Sequence, residues 1–195
     1  MGEELIGPEL IGRELEQAQL TTWVDEAASG RGSVILLAGE AGVGKTTLAK
    51  RTLDGSGLHV LEGLAVQGGT SAFGPIVEAL RFYLRNAGEE PLTDGPLAAH
   101  LALLLPELGQ PAPTGDRATL FEAIRQALVA IARRRPTVLL LDDLQWADDA
   151  TPELLGALAR SVDTEPLLLL GAFRSDELPR GHAIRRLRSE LRRAG

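Results

Sequence analysis

The chain has 195 residues, 44% of them hydrophobic and 24% charged, a balance typical of one soluble α/β domain. Its 20 basic and 27 acidic residues give a net charge of −7, which disfavours direct nucleic-acid binding by the chain as a whole. The absence of cysteine excludes disulfides and thiolate metal sites. The first residues are acidic and no apolar run approaches the ~20 residues of a membrane span, so we expect a cytoplasmic protein without a membrane anchor.

An amphipathic stretch near the start of the chain predicts a helix that stops at Gly30 or Gly32. Leu15, Leu20, Trp23 and Val24 provide its apolar positions. The segment Leu10-Ile-Gly-Arg-Glu-Leu-Glu16 precedes it, and the simplest interpretation is a turn at Gly12 followed by a capped helix. We assign residues 1–32 to this N-terminal unit and residues 33–195 to the core.

The core begins with an apolar strand, residues 33–38, followed by Gly39-Glu-Ala-Gly-Val-Gly-Lys-Thr46. This octamer fits G-x-x-x-x-G-K-[ST] at every fixed position, and a helix-compatible run, residues 47–52, follows it. Glycines at 39, 42 and 44 allow backbone conformations that turn successive N–H groups toward an anion. The pattern predicts a phosphate-binding loop rather than a glycine-rich turn with a solvated lysine.

The loop residues have distinct predicted roles in binding ATP or ADP with Mg²⁺. Lys45 reaches the β- and γ-phosphates, the hydroxyl of Thr46 completes the magnesium shell, and the following helix presents its positive end to the phosphates. The other predicted nucleotide-binding residues of this segment are Gly39, Glu40, Ala41, Gly42, Val43, Gly44 and Thr47. Because the N-terminal segment lies directly upstream, a second interpretation is that it closes over the adenine.

Between the loop and the next motif, residues 58–63 predict a strand, and three helices follow over residues 73–84, 95–105 and 119–135. The first has Pro75 in its opening turn, where proline is tolerated. The second is broken by Pro106.

The run Thr137-Val-Leu-Leu-Leu-Asp-Asp143 predicts a strand buried on both faces with two carboxylates at its tip. Ligands of open α/β sheets bind at such carboxyl ends. We predict that Asp142 orders the magnesium shell and that Asp143 positions or polarises the attacking water. Placed adjacently on one strand, the two side chains are expected to point to opposite sides. The alternative is an acidic turn after a core strand.

A predicted helix, residues 152–162, leads to a last buried strand, residues 166–173, which ends at Arg174. An arginine there would sense the γ-phosphate or stabilise charge developed during transfer, or it would instead pair with Asp176 or Glu177. The basic segment from Arg180 to Arg193 has leucine and isoleucine at helical spacing. It predicts an amphipathic helix with a basic exposed face in preference to a DNA contact.

Together these motifs resemble the STAND class of AAA-like NTPases, most closely the ATPase module at the N-terminus of large LuxR-type (MalT-like) transcriptional regulators. Residues 39–46 match Walker A, residues 139–143 match Walker B, and residues 167–174 are similar to the strand that ends in a sensor arginine. Residues 10–16 are similar to the family's hydrophobic-GRExE segment. That similarity implies contacts to the base and ribose from Ile11, Gly12, Arg13 and Glu14.

The resemblance implies a three-layer P-loop NTPase fold of the ASCE/AAA type, a mostly parallel sheet with helices on both faces. The Arg174 strand would lie between the loop strand and the Asp142 strand. The family continues into another core strand, a helical lid, sensor repeats and a helix-turn-helix, so we expect the core to be incomplete at Gly195 and capable of nucleotide-dependent self-association.

The implied role is a switch with slow ATP hydrolysis, because many AAA ATPases have glutamate where this chain has Asp143. DNA would be bound only through a separate C-terminal domain. An AAA-type motor enzyme and a degenerate nucleotide-binding scaffold without turnover are the alternatives.

Overall fold

Four parallel strands form one sheet with the order β1-β4-β3-β2. A computed structural model describes residues 13–69, 71–86, 92 and 96–194. The strands are β1 (Ser33–Gly39), β2 (His59–Leu64), β3 (Thr137–Asp142) and β4 (Leu167–Arg174). All four were predicted, and the predicted position of the Arg174 strand between the other two is confirmed.

Seven helices are present in the described ranges. They are α1 (Glu14–Ala28), α2 (Lys45–Leu53), α3 (Gly74–Asn86), α4 (Pro96–Leu101), α5 (Arg117–Arg134), α6 (Ala150–Leu158) and α7 (Ala183–Ala194). Two of them stop earlier than predicted. After Leu101 and after Leu158 the backbone changes to hydrogen bonds between residues three apart, such as Leu104 N to Leu101 O and Ser161 N to Leu158 O. This tighter turning ends the α-helical ladder.

The sheet is covered on both faces, as successive side chains of its strands alternate. In β3, Leu139 and Leu141 belong to the apolar cluster formed with α3, α5 and α6. Val138 and Leu140 belong to a second cluster formed with α1 and α2. The two clusters make three layers, and the predicted α/β fold with helices on both faces is confirmed.

A close approach in the sheet positions the segment after β3. A Cβ atom added at Gly171 of β4 would lie 2.5 Å from Leu144 Cδ1 and 3.0 Å from Leu36 Cδ2. Leu144 begins a 3₁₀ turn, Leu144–Trp146, and is fully buried. The missing side chain at Gly171 therefore lets this turn pack directly on the sheet, just beyond the two acids.

The first strand is at the edge of the sheet. In the part of the chain that the structure describes, β4 is the one strand that pairs with β1. The apolar residues Val34 to Leu37 are only half-buried, whereas every residue of β3 except Asp142 is buried. Among the described helices, none combines the length and the apolar character needed to cross a bilayer.

Candidate functional site

The segment between β1 and α2 forms a loop at the carboxyl edge of the sheet. Gly42 and Gly44 have φ angles of 75° and 84°, in the left-handed region that favours glycine. Gly39 does not, which corrects the prediction that all three glycines serve the same purpose. Its constraint is space, because a Cβ at Gly39 would lie 3.0 Å from Val43 Cγ2 and 3.6 Å from Lys45 Cδ.

Lys45 begins α2 and folds back over this loop. Its Nζ donates hydrogen bonds to the backbone carbonyls of Gly39 (3.1 Å) and Glu40 (2.8 Å). The residue is only 9% exposed. Because these carbonyl partners carry no net charge, they do not neutralise the ammonium group. Its positive charge therefore stays near the N-terminus of α2, where it can attract an anion.

The two predicted magnesium ligands meet. Thr46 Oγ1 donates a 2.6 Å hydrogen bond to Asp142 Oδ2. The second oxygen of Asp142, Oδ1, accepts a 2.8 Å hydrogen bond from the backbone N–H of Asp143. The described residues contain no group of three or more His, Asp or Glu able to hold a metal by themselves. A hydroxyl and one carboxylate suit Mg²⁺, which normally keeps several waters and takes the rest of its oxygens from phosphates.

Asp143 lies outside the strand, contrary to the prediction that both acids sit on β3 with opposed side chains. The strand ends at Asp142, and Asp143 turns away with a φ of 52°, a left-handed conformation uncommon for a residue with a side chain. Its Oδ1 accepts a 2.8 Å hydrogen bond from Gln145 Nε2. The two carboxylates therefore have different partners because the backbone turns at Asp143, and not because their side chains alternate along a strand.

Arg174, at the end of β4, is paired with Gly39 in the register of the sheet. Its Nη1 donates to Glu177 Oε1 at 2.8 Å, and its Nε lies 3.3 Å from Asp143 Oδ1. The hydrogen bond with Glu177, followed by the charge of Asp143, raises the pKa of the Arg174 guanidinium above its ordinary value. Glu177 was one of the two surface partners proposed from the sequence; Asp143 was not foreseen.

Gln145 was missed by the sequence analysis. It is 5% exposed, and while its amide N–H binds Asp143, its Oε1 accepts a 3.0 Å hydrogen bond from the backbone N–H of Arg174. The side chain thus connects the tips of β3 and β4. The glutamine lies in the run Asp142-Asp-Leu-Gln-Trp-Ala-Asp148, which is similar to the family's segment after Walker B, but that similarity assigned it no role. Its role depends on a strand that begins more than 20 residues later.

The N-terminal segment contributes to a neighbouring groove of about 510 Å³ that runs beside β1. Arg13, which precedes α1, lines it together with Trp23, Ala38 and Lys45. Glu14 is the first residue of α1 and is not among the lining residues. Ile11 and Gly12 lie outside the described residues. The structure therefore brings one of the four predicted nucleoside contacts into the same groove as the loop lysine.

A family model for the AAA ATPase domain matches residues 9–170. The chain belongs to the AAA ATPase domain family. This membership, with the parallel sheet and the glycine loop described above, makes the chain a P-loop NTPase domain whose general chemistry is nucleotide binding and ATP hydrolysis.

The comparisons also identify one relative and two solved structures. The chain is 32% identical over 193 residues to an uncharacterised protein of Rhizobium meliloti (strain 1021), covering 87% of this chain and 19% of that protein. It is similar to chains in two structures of Drosophila ORC with Cdc6, one bound to AT-rich and one to GC-rich DNA. The first has a TM-score of 0.41 at 12% identity, over 92% of this chain and 59% of that one. The second has a TM-score of 0.44 at 11% identity, over 95% and 60%. This AAA ATPase domain thus spans about a fifth of the curated relative that it matches.

Proposed function

We propose that the chain binds ATP with Mg²⁺, hydrolyses it slowly, and serves as a nucleotide-dependent switch. The observation that carries this proposal is the 2.6 Å hydrogen bond between Thr46 and Asp142. The hydroxyl comes from the phosphate loop and the carboxylate from β3, so both are positioned to share one ion. Mg²⁺ bound there would neutralise charge on the nucleotide phosphates.

The loop residues would hold the phosphates. Gly42 and Gly44 adopt left-handed conformations of the kind that turn backbone N–H groups into an anion-binding concavity, and α2 presents its positive end to the same place. Lys45 would exchange its two carbonyl partners for phosphate oxygens, which are charged and therefore stronger acceptors.

Slow turnover is supported by the surroundings of Asp143. As the candidate residue that positions or polarises the attacking water, it would need a carboxylate free to accept a hydrogen bond. One of its two oxygens, Oδ1, is instead shared between Gln145 and Arg174, which restricts how the carboxylate can orient toward a water. Aspartate is also one methylene shorter than the glutamate that many AAA ATPases have here. We expect turnover well below the enzyme median of ~10 s⁻¹.

The place of this switch is proposed to be the cytoplasmic regulatory ATPase region of a LuxR-type transcriptional regulator of the STAND class. The resemblance of the four motifs, residues 10–16, 39–46, 139–143 and 167–174, supports this. In such a protein, DNA would be bound by another domain, and nucleotide-dependent self-association would be part of the output. The net charge of −7 agrees with a segment that does not itself bind DNA.

Isothermal titration calorimetry with ATP and Mg²⁺ tests the proposal. Lys45→Ala removes charge-assisted hydrogen bonds of about 1.5–3 kcal/mol each, so affinity should fall more than tenfold. Lys50→Ala is the matched control, since Lys50 lies on the same helix but is exposed and paired with Glu62 at 2.7 Å. Equal ATP affinity in the wild type and Lys45→Ala would contradict the assignment of the site.

A further inference from the structure

Glu177 binds the guanidinium group of the candidate sensor arginine. Arg174 donates to Glu177 Oε1 at 2.8 Å, a shorter contact than the 3.3 Å between its Nε and Asp143. The neighbouring Asp176 is exposed, and none of the hydrogen bonds or ion pairs described for Arg174 involves it. Of the two acids that closely follow Arg174 in the chain, Glu177 is therefore the one that pairs with it.

The second oxygen of Glu177 makes this contact difficult to give up. Glu177 Oε2 is buried and has no hydrogen-bond partner among the described residues. The side chain as a whole is 28% exposed. If Arg174 left, this half-buried carboxylate would lose its charged partner and keep one oxygen without solvent or donor. A partly buried carboxylate without a charged partner costs free energy, so Glu177 stabilises the present position of Arg174.

The backbone at this point is fixed, so only the guanidinium group can change partners. The N–H of Arg174 donates to Gln145 Oε1 at 3.0 Å, and the N–H of Ser175 donates to Gly39 O at 3.2 Å. The second bond joins the end of β4 directly to the start of the phosphate loop. A side-chain rotation of Arg174 is therefore the movement available for reaching a nucleotide bound at that loop.

We infer that Glu177 determines how strongly the site prefers ATP over ADP. Arg174 must leave Glu177 to bind a γ-phosphate, and this exchange reduces the gain from that phosphate. ADP lacks the γ-phosphate and leaves the Arg174–Glu177 pair intact. Glu177 thus lowers affinity for ATP selectively and acts as a specificity-determining residue that does not itself touch the nucleotide. The inference rests on the proposed function, since it requires ATP at the glycine loop.

The test is the ratio of ATP to ADP affinity, measured by calorimetry with Mg²⁺ in the wild type, Glu177→Gln and the control Asp176→Asn. Glu177→Gln should raise ATP affinity by roughly five- to tenfold, the size expected when a competing charge-assisted contact is replaced by a neutral hydrogen bond from the same arginine. Its ADP affinity should change less than about twofold on the same scale. Asp176→Asn removes the same charge one position away and should leave the ratio unchanged. Glu177→Ala should act in the same direction as Glu177→Gln.

A variant that lacks Arg174 separates this mechanism from a general charge effect. In an Arg174→Ala background, Glu177→Gln should no longer alter the ratio. A gain that persists without Arg174, or a ratio that Glu177→Gln leaves unchanged or lowers while the wild type binds both nucleotides, overturns the inference alone. If the wild type binds neither nucleotide, the proposed function fails and the inference fails with it.

Discussion

Thr46 and Asp142 are 96 positions apart in the chain, yet their side chains are joined by a 2.6 Å hydrogen bond. The strands that lead to them are not neighbours, because β4 lies between β1 and β3. The contact forms because α2 starts over the carboxyl edge of the sheet, where all parallel strands end. It makes the carboxylate of Asp142 part of the loop, whereas the carboxylate of Asp143 contacts Gln145 and Arg174.

This division predicts different effects for the two acids. Asp142→Asn should reduce the gain in ATP affinity that Mg²⁺ provides, because an amide is a weaker metal ligand than a carboxylate. Asp143→Asn should leave binding intact and lower turnover. Calorimetry with Mg²⁺ or with EDTA, together with a phosphate-release assay, measures both quantities.

Asp149→Asn is the control for these variants, because Asp149 is an exposed acid close in sequence whose side chain does not cap α6. It should change neither quantity. If Asp143→Asn abolished binding while Asp142→Asn preserved it, the two roles would have to be exchanged.

A second prediction concerns the nucleoside. Arg13 lines the groove beside β1, together with Lys45. Arg13→Ala should weaken ATP binding while sparing inorganic triphosphate, because it removes a contact to the base or ribose and leaves the loop unchanged. Arg31→Ala serves as the control, since the Arg31 side chain is 69% exposed and follows the far end of α1. Equal losses for ATP and for triphosphate in competition binding would argue against a nucleoside contact.

The strands and the loop could be predicted from sequence because their signals are local. Four apolar residues between Thr137 and Asp142 indicate a strand buried on both faces, and the loop pattern has fixed spacing. The strand order required the family resemblance as well, since local pattern does not specify neighbours. Whether a segment forms a helix or a strand was therefore easier to predict than which other elements it contacts.

What the sequence could not provide is the network around Arg174. Glu177 was considered as a surface partner, but its buried oxygen and the bridge through Gln145 depend on how two strand tips meet. The left-handed turn at Asp143 was also unexpected, because aspartate after an apolar run is compatible with one more strand residue. These features arise from packing across the sheet edge rather than from residue order.

The close approach at Gly171 predicts a stability effect near this network. Gly171→Ala would place a methyl group 2.5 Å from Leu144 Cδ1, so the turn must move or the core must strain. The expected cost is about 1–3 kcal/mol in the free energy of unfolding. Because the turn carries Gln145, we also expect lower ATP turnover. Chemical denaturation followed by circular dichroism measures the first effect.

Gly156→Ala is the comparison for Gly171→Ala. Gly156 lies within α6, and an added Cβ would be 3.2 Å from Glu190 Oε2, the end of a flexible side chain that can move away. Alanine is favoured over glycine inside a helix by up to about 1 kcal/mol, so this variant should be neutral or more stable. A Gly171→Ala protein as stable as the wild type would mean that the turn does not depend on this contact.

The last prediction follows from the edge strand. Along β1 the N–H and C=O groups that face away from β4 have no strand partner in the described ranges, and the half-buried residues Val34 to Leu37 give that edge an apolar character. Such an edge pairs readily with another strand. We therefore expect the 195-residue chain to self-associate as its concentration rises, while it hydrolyses ATP below ~10 s⁻¹.

Val34→Lys should shift the mass measured by light scattering toward that of the monomer, because a charge on an edge strand opposes pairing. Val66→Lys makes the same change at a 61% exposed position after β2, on the opposite side of the sheet, and should not. A wild-type protein that stays monomeric at high concentration and turns over ATP at or above that rate would show that β1 is not an open edge in solution and that the site is fully competent.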